Sequence, residues 1–168
     1  MNYLYVYKTP AAFDDLYLCS DGTALTAAVF KSSADMLKIP KDLNCGHAEF
    51  FADAVRWFDM YFGGKIPDFT PRYRINILTP FRESVHGIIK NIPYGKTVTY
   101  GDIAKQIANE RGIERMSAQA VGGAVGSNPV CVIVPCHRVL GTDGSLTGYG
   151  GGIRNKKALL DLEGIVYK

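Results

Sequence analysis

The spacing of apolar residues changes period partway along the chain. Residues 3–7 alternate aromatic and aliphatic side chains, which predicts a strand. Apolar runs at 16–19 and 23–30 flank Ser20-Asp21-Gly22, and Asp-Gly between two such runs predicts a hairpin. Over 48–62 the spacing becomes helical, with Phe51, Ala54, Val55, Phe58, Tyr61 and Phe62 on one face and Gly63-Gly64 as the stop. Residues 67–74 predict an irregular linker. The first half is therefore expected to be a small sheet with one helix packed on it. It holds no carboxylate pair, no phosphate loop and no nucleophile beside a base, so its expected role is that of a scaffold.

The second half is punctuated by helix caps. Thr79 precedes Pro80 as an N-cap precedes a first-turn proline, and Phe81, Val85, Ile88, Ile89 and Ile92 form the buried stripe that follows. Pro93-Tyr94-Gly95-Lys96 predicts a turn. Thr99 caps the next helix, with Asp102 at the capping-box position usually held by Glu or Gln. Ile103, Ala104, Ile107 and Ala108 form that helix's inner face. A loop over 109–115 leads to Ser117, the cap of a second short helix ending near Gly126. Residues 130–134 read as a buried strand that stops at Pro135. A second Asp-Gly turn follows at 141–145, then a glycine-rich loop at 148–152 whose backbone is free to shape a pocket. The last helix is expected at about 153–163, with Ala158, Leu159 and Leu162 inward and Gly164 as its stop.

Composition narrows the class. A chain of 168 residues, 47% hydrophobic, can bury the core of one ordinary domain or two small ones. No apolar run approaches a membrane span, and no basic segment followed by an apolar one opens the chain, so a cytoplasmic protein without a signal peptide is expected. Cys19, Cys45, Cys131 and Cys136 are then free thiols. There is no Cys-x-x-Cys pair, and the spacing of Cys19, Cys45, His47 and His86 does not ask for a metal. The net charge of +3 is uneven: residues 1–93 carry ten basic and ten acidic side chains, residues 94–168 nine basic and six acidic. The excess points weakly to a polyanion meeting the second half.

Two features carry chemistry. The two short helices with a tight connection are compatible with a helix-turn-helix. The second, Ala118-Gln119-Ala120-Val121-Gly122-Gly123-Ala124, has no Lys or Arg. Its small residues suit either tight packing in the core, which the residues alone favour, or close approach to a narrow minor groove. The other feature is Pro135-Cys136-His137-Arg138-Val139. A thiol beside two groups able to carry positive charge is where a thiolate is stabilised. Histidine can take its proton, and a carboxylate can orient the imidazolium. Glu163, at the unfavourable negative end of the last helix, is the carboxylate in need of a partner, and His137 is the candidate. A Cys-His dipeptide alone would be weak ground.

The context adds to it. The Pro135–Val139 run resembles the signature of the O6-alkylguanine-DNA alkyltransferases, the methylated-DNA–protein-cysteine methyltransferases. So do Gln119-Ala120-Val121-Gly122-Gly123-Ala124 and Asn128-Pro129 before it, and Gly148-Tyr149-Gly150-Gly151 and Leu160-Asp161-Leu162-Glu163-Gly164 after it, in order over about 79–164. The resemblance implies an α/β (α+β) fold. Residues 1–78 would be a ribonuclease H-like sheet-plus-helix domain with linker, and residues 79–168 a mainly helical, winged-helix-like domain that binds DNA and accepts the alkyl group. The implied function is direct-reversal DNA repair by a monomer without metal or cofactor. Double-stranded DNA carrying O6-alkylguanine would be bound through its minor groove, with O4-alkylthymine left open as a second substrate. The damaged base would be flipped out and its alkyl group passed irreversibly to Cys136, once per molecule.

The same resemblance assigns roles. Cys136 is the acceptor, His137 the water-mediated base, Glu163 its orienting carboxylate, and Asn128 the brace of the turn. Tyr100 bonds the flipped base and crowds its phosphate. The carbonyls of Cys136 and Val139 receive the guanine amine, and Tyr149, Gly150 and Gly151 line the lid. Arg138 braces the two subdomains by pairing with an acid that the sequence does not identify. Ala118, Gln119, Ala120 and Gly122 face DNA. Two positions depart from the pattern. Gln119 stands where many members have an arginine that fills the gap left by the flipped base; glutamine brings no charge and less stacking surface. Cys131 stands where some have a proline on the pocket wall. A lesion-recognition protein of the alkyltransferase-like kind would lack Cys136. A cysteine hydrolase would leave the helix-turn-helix unexplained, and a regulatory DNA-binding protein would need more base-reading side chains.

Overall fold

The computed structural model describes residues 1–45, 47–76 and 79–168, a mixed α/β chain in which a small sheet is followed by a run of helices. Strands β1 (Asn2–Tyr7), β2 (Leu16–Ser20), β3 (Leu25–Phe30) and β4 (Leu43–Cys45) make one sheet in the order β3-β2-β1-β4. The first three are antiparallel neighbours, and β4, which the pattern did not predict, joins β1 in parallel. The Asp-Gly hairpin forms as expected, but Asp21 draws Thr23 and Ala24 out of the strand. Its Oδ1 accepts from both backbone N–H groups at 2.8 and 2.9 Å, an Asx turn that competes with the ladder.

Helix α1 (Ala52–Phe62) covers the sheet through Ala54, Trp57, Phe58 and Tyr61, after a 3-10 turn at Ala48–Phe51 that takes up the first residues of the expected helix. Phe58 and Tyr61 are fully buried against a core that includes Leu16, Leu18 and Phe30. Side chains of this size contribute about 1.5–3 kcal/mol each when buried. The same core continues through Val85, Ile103, Val125, Val134 and Leu159, so the two halves of the chain share it.

The outer edge of β3 is where the halves join. Leu25 exchanges hydrogen bonds with Arg72 and Arg74 of the otherwise irregular linker, and Ala28 exchanges them with Pro129 and Cys131 at 2.8 Å each. Residues 77 and 78, where a domain boundary was expected, lie outside the described residues.

The caps read from the sequence hold. Helix α2 (Pro80–Ile89) starts on Thr79, whose hydroxyl accepts from Arg82 N. Strand β5 (Val98–Thr99) leads directly into α3 (Tyr100–Arg111), where Thr99 and Asp102 form a full capping box. Ser117 caps α4 (Ala118–Gly126), which packs on α2 and α3. A two-residue strand β6 (Val139–Leu140) pairs in parallel with β5, and α5 (Ile153–Leu162) closes the chain. Among the described residues no helix is long and apolar enough to cross a membrane.

The buried strand expected at 130–134 is not a strand. Val130 and Cys131 touch the edge of β3, then the chain doubles back: Ile133 N donates to Cys131 O at 2.9 Å and Val134 N to Val130 O at 3.1 Å. Val132 sits at φ 71°, a strained, left-handed conformation for a β-branched residue. An unbroken apolar run predicts burial but not extension.

The capping box yields a direct test. Thr99→Ala removes two side-chain hydrogen bonds at the start of α3 and should lower unfolding free energy by about 1 kcal/mol in a urea titration; an unchanged midpoint would show that the cap carries no weight.

Candidate active site

The reversal at 130–134 is held by one side chain. Asn128, 5% exposed, accepts Val130 N on its Oδ1 at 3.0 Å. Its amide nitrogen lies 3.3 Å from Val130 O, 3.2 Å from Val134 O and 3.1 Å from Cys136 Sγ. The amide thus satisfies carbonyls that a neighbouring strand would otherwise satisfy, and it donates to the thiol. Cys136 opens a 3-10 turn, Cys136–Arg138, that feeds β6. The reversal therefore delivers Cys136, His137 and Arg138 in succession into the interior, all three buried.

Behind the thiol lies a charged knot centred on Glu163, the C-cap of α5. Its Oε1 accepts from Tyr61 Oη at 2.6 Å, His137 Nε2 at 2.7 Å and Arg138 Nη2 at 2.9 Å; its Oε2 accepts from Arg138 Nε at 2.8 Å and Gly95 N at 3.1 Å. Arg138 also donates to Ile92 O at 2.6 Å. Glu163 is thus the acid that Arg138 needed. Burial alone would push the Glu163 carboxyl up, but the hydrogen bonds from His137 and Arg138 more than offset it and hold it well below the usual carboxylate range. His137 is lowered by burial against the pull of Glu163, so its ring is neutral. With Nε2–H donated to Glu163, the Nδ1 lone pair is free, and Nδ1 has no partner among the described residues.

Cys136 is lowered from the ordinary thiol value, first by a hydrogen bond from the Cys131 thiol and then by Asn128, against the cost of burial. Cys131 moves the other way, well up, because it supports its neighbour's thiolate and is itself buried. The single Cys131 proton has two acceptors in reach, the Cys136 sulfur and Asp35 Oδ2 at 3.2 Å.

Cys136 lies on a cavity of about 30 Å³ lined by Tyr100, Gly122, Asn128, Gly148, Tyr149 and Asp35. Tyr100, Gly122 and Gly148 also line an open cleft of about 540 Å³ beside Ala118 and Gln119. Helix α4 packs on the core as the residues favoured, through Val121, Ala124 and Val125, while Ala118, Gln119, Ala120 and Gly123 stay exposed. The Gly148–Gly152 segment is a loop as expected. The carbonyls of Cys136 and Val139 already accept one bond each, from Val139 N and from Lys156 Nζ at 2.8 Å. Each keeps a second lone pair.

Four residues at the site escaped the sequence. Tyr61 was read as core only. Asp35 and Lys38 belong to a 3-10 turn, Ala34–Lys38, for which no periodicity signals. Lys156 is fully buried, and burial pulls its ammonium down to about 8. The fully buried residues of α5 are Asn155, Lys156, Leu159 and Leu160; the expected Leu159 is among them, Leu162 is half-buried against the core and Ala158 is half-buried. The signal was present: Lys156 and Glu163 are seven apart and share a helix face.

Geometry thus defines a protein built around one buried, activated cysteine that is reached from a cleft beside a small-residue helix. The comparisons agree with that class. Residues 80–165 match the family model described as the 6-O-methylguanine DNA methyltransferase DNA-binding domain. A methylated-DNA–protein-cysteine methyltransferase of Methanosarcina acetivorans is 38% identical over 96% of this chain and 98% of its own length. One from Haemophilus influenzae is 36% identical over 99% of this chain and 90% of its own. The crystal structure of the Mycobacterium tuberculosis O6-methylguanine methyltransferase superposes with a TM-score of 0.77 at 34% identity, covering 97% of this chain and 93% of that one. A structure of M. tuberculosis OGT in complex with DNA gives the same score over 96% and 91%. The chain belongs to the methylated-DNA–protein-cysteine methyltransferase family, and the likeness extends through its first half.

The Glu163 knot makes a pH prediction. A carboxyl held low contributes stability that is complete above its ordinary value of 4.5 and is lost as pH falls toward the depressed one. Glu163→Gln leaves Arg138 buried and unneutralised and should cost about 3 kcal/mol near neutrality. The gap to the wild-type protein should close as denaturation is followed down in pH below 4.5. A gap of constant size would show that the charge of Glu163 is not what stabilises.

Proposed function

We propose that this chain repairs DNA by direct reversal, taking the alkyl group of O6-alkylguanine onto Cys136. The observation that carries it is the buried Cys136 thiol, donated to by Asn128 and opening through Tyr100, Gly122 and Gly148 onto the cleft under α4. A duplex held at α4 would offer its minor groove to Ala118, Gln119, Ala120 and Gly122. Reaching the cavity requires the base to leave the stack. Cys136 gives up its proton toward Nδ1 of His137, directly or through a water, and the thiolate attacks the alkyl carbon. The S–C bond forms as the C–O6 bond breaks. Its electron pair stays with the guanine, which takes up a proton. The second lone pairs of the Cys136 and Val139 carbonyls suit the guanine amine, and Tyr100 suits its ring edge. Tyr149, Gly150 and Gly151 serve as the lid. The thioether is stable, so each molecule acts once, as a monomer in the cytoplasm, and neither metal nor cofactor enters the step.

In this reading residues 1–78 form a ribonuclease H-like domain and residues 79–168 a winged-helix-like one. Arg138, bonded to Glu163 and to Ile92 O, braces the interior between them.

Duplex DNA carrying labelled O6-methylguanine tests the reading. Label should move to protein at one equivalent per chain and not at all in Cys136→Ala; binding without transfer by the wild-type protein would overturn it. A second test addresses α4. Gln119 is exposed and lines the cleft, so Gln119→Arg should tighten DNA binding and steepen its log–log salt dependence by about 0.9 for one added phosphate contact. An unchanged slope would remove residue 119 from the interface.

A further inference from the structure

The cavity beside Cys136 has one wall that does not come from the second half of the chain. Asp35, on the 3-10 turn after β3, is 3% exposed and lines the cavity directly. Its backbone N donates to Gly150 O at 3.3 Å, its Oδ2 accepts from Cys131 Sγ at 3.2 Å, and its Oδ1 is ion-paired with Lys38. Lys38 in turn donates to Gly126 O at 2.6 Å and Asn128 O at 3.0 Å. A Cβ at Gly150 would overlap the Asp35 carboxylate, so the glycine there makes room for that group. The carboxylate therefore touches the lid loop and the cavity wall, and through Lys38 it reaches the turn that holds the thiol.

Resting on the proposed alkyl transfer, we propose that Asp35 is a specificity-determining residue, which favours uncharged over anionic alkyl groups. Transfer forms the Sγ–C bond and breaks the C–O6 bond. The bond pair stays with the guanine, which then takes up a proton. The leaving base is the same for every alkyl group, so the surroundings of the alkyl carbon decide among them. An anionic substituent would face the Asp35 carboxylate in a water-poor site, where like charges repel strongly. Both Cys136 and Cys131 feel that carboxylate, and Lys38 opposes it. The balance of the pair, and not Asp35 alone, sets the field in the cavity.

The test uses the full chain and duplexes carrying O6-methyl-, O6-carbamoylmethyl- or O6-carboxymethylguanine at about pH 8, where an exposed carboxylate is ionised. Carbamoylmethyl and carboxymethyl have nearly the same size, so their rate ratio reads charge. The wild-type protein should transfer methyl fastest and carboxymethyl slowest. Asp35→Asn should raise the carboxymethyl-to-carbamoylmethyl ratio by about tenfold, and Lys38→Ala should lower it by about threefold. Opposite shifts would not follow from loosened packing, which changes both substrates together. Ratios within about twofold of wild type in both variants, or shifts in the same direction, overturn the proposal. Should Asp35→Asn fail to fold, the Lys38→Ala ratio decides alone. Absence of methyl transfer by the wild-type protein is a different result, and it counts against the alkyl-transfer reading itself.

Discussion

A single buried carboxylate holds the active region together. Glu163 collects donors from α1, from the turn before β5, and from the two residues that follow the cysteine. A carboxylate taken out of water is costly unless its lone pairs are filled, and here Tyr61, Gly95, His137 and Arg138 fill them. Because the donors come from separate segments, satisfying the charge also fixes where those segments sit. The tautomer of His137 follows from the same bond, which leaves Nδ1 as the basic atom beside the thiol turn.

The sheet contributes more than support. The sequence offered the first half as a scaffold without chemistry, yet it supplies Tyr61 to the carboxylate and Asp35 to the cavity. The reason lies in the outer edge of β3, where Ala28 pairs with Pro129 and Cys131. That bridge ties the apolar reversal before Cys136 to a rigid strand, and it brings the turn after β3 alongside the Gly148–Gly152 loop. Residues more than a hundred positions apart thereby share one wall of one small cavity.

What the sequence made legible was local. The caps at Thr79, Thr99 and Ser117, the Asp-Gly turns and the helical stripes of α1, α2 and α3 rest on neighbours within a few residues, and all appear in the structure. The partnership of His137 with Glu163 was also legible, because a negative charge at a helix C-terminus is locally unfavourable and so needs a remote reason. The strand at 130–134 was misread because what reverses it is the Asn128 amide, a side-chain partner that periodicity does not encode. Asp35 and Lys156 were missed for a related cause. A charged residue ordinarily signals surface, and only a three-dimensional inventory of acceptors, such as Val139 O for Lys156, shows that it is inside.

The hydrogen bonds to Glu163 join it to residues 25 to 102 positions earlier in the chain. Contacts of such long span are entropically late, since many loops must close before any of them can form. The His137–Glu163 pair therefore cannot exist in a partly collapsed chain. Until α5 docks, nothing fixes the His137 tautomer, although the Asn128 and Cys131 contacts that lower the Cys136 thiol are local. The neutral, oriented imidazole beside the thiol turn is tied to completed folding, and a nascent or misfolded molecule lacks it.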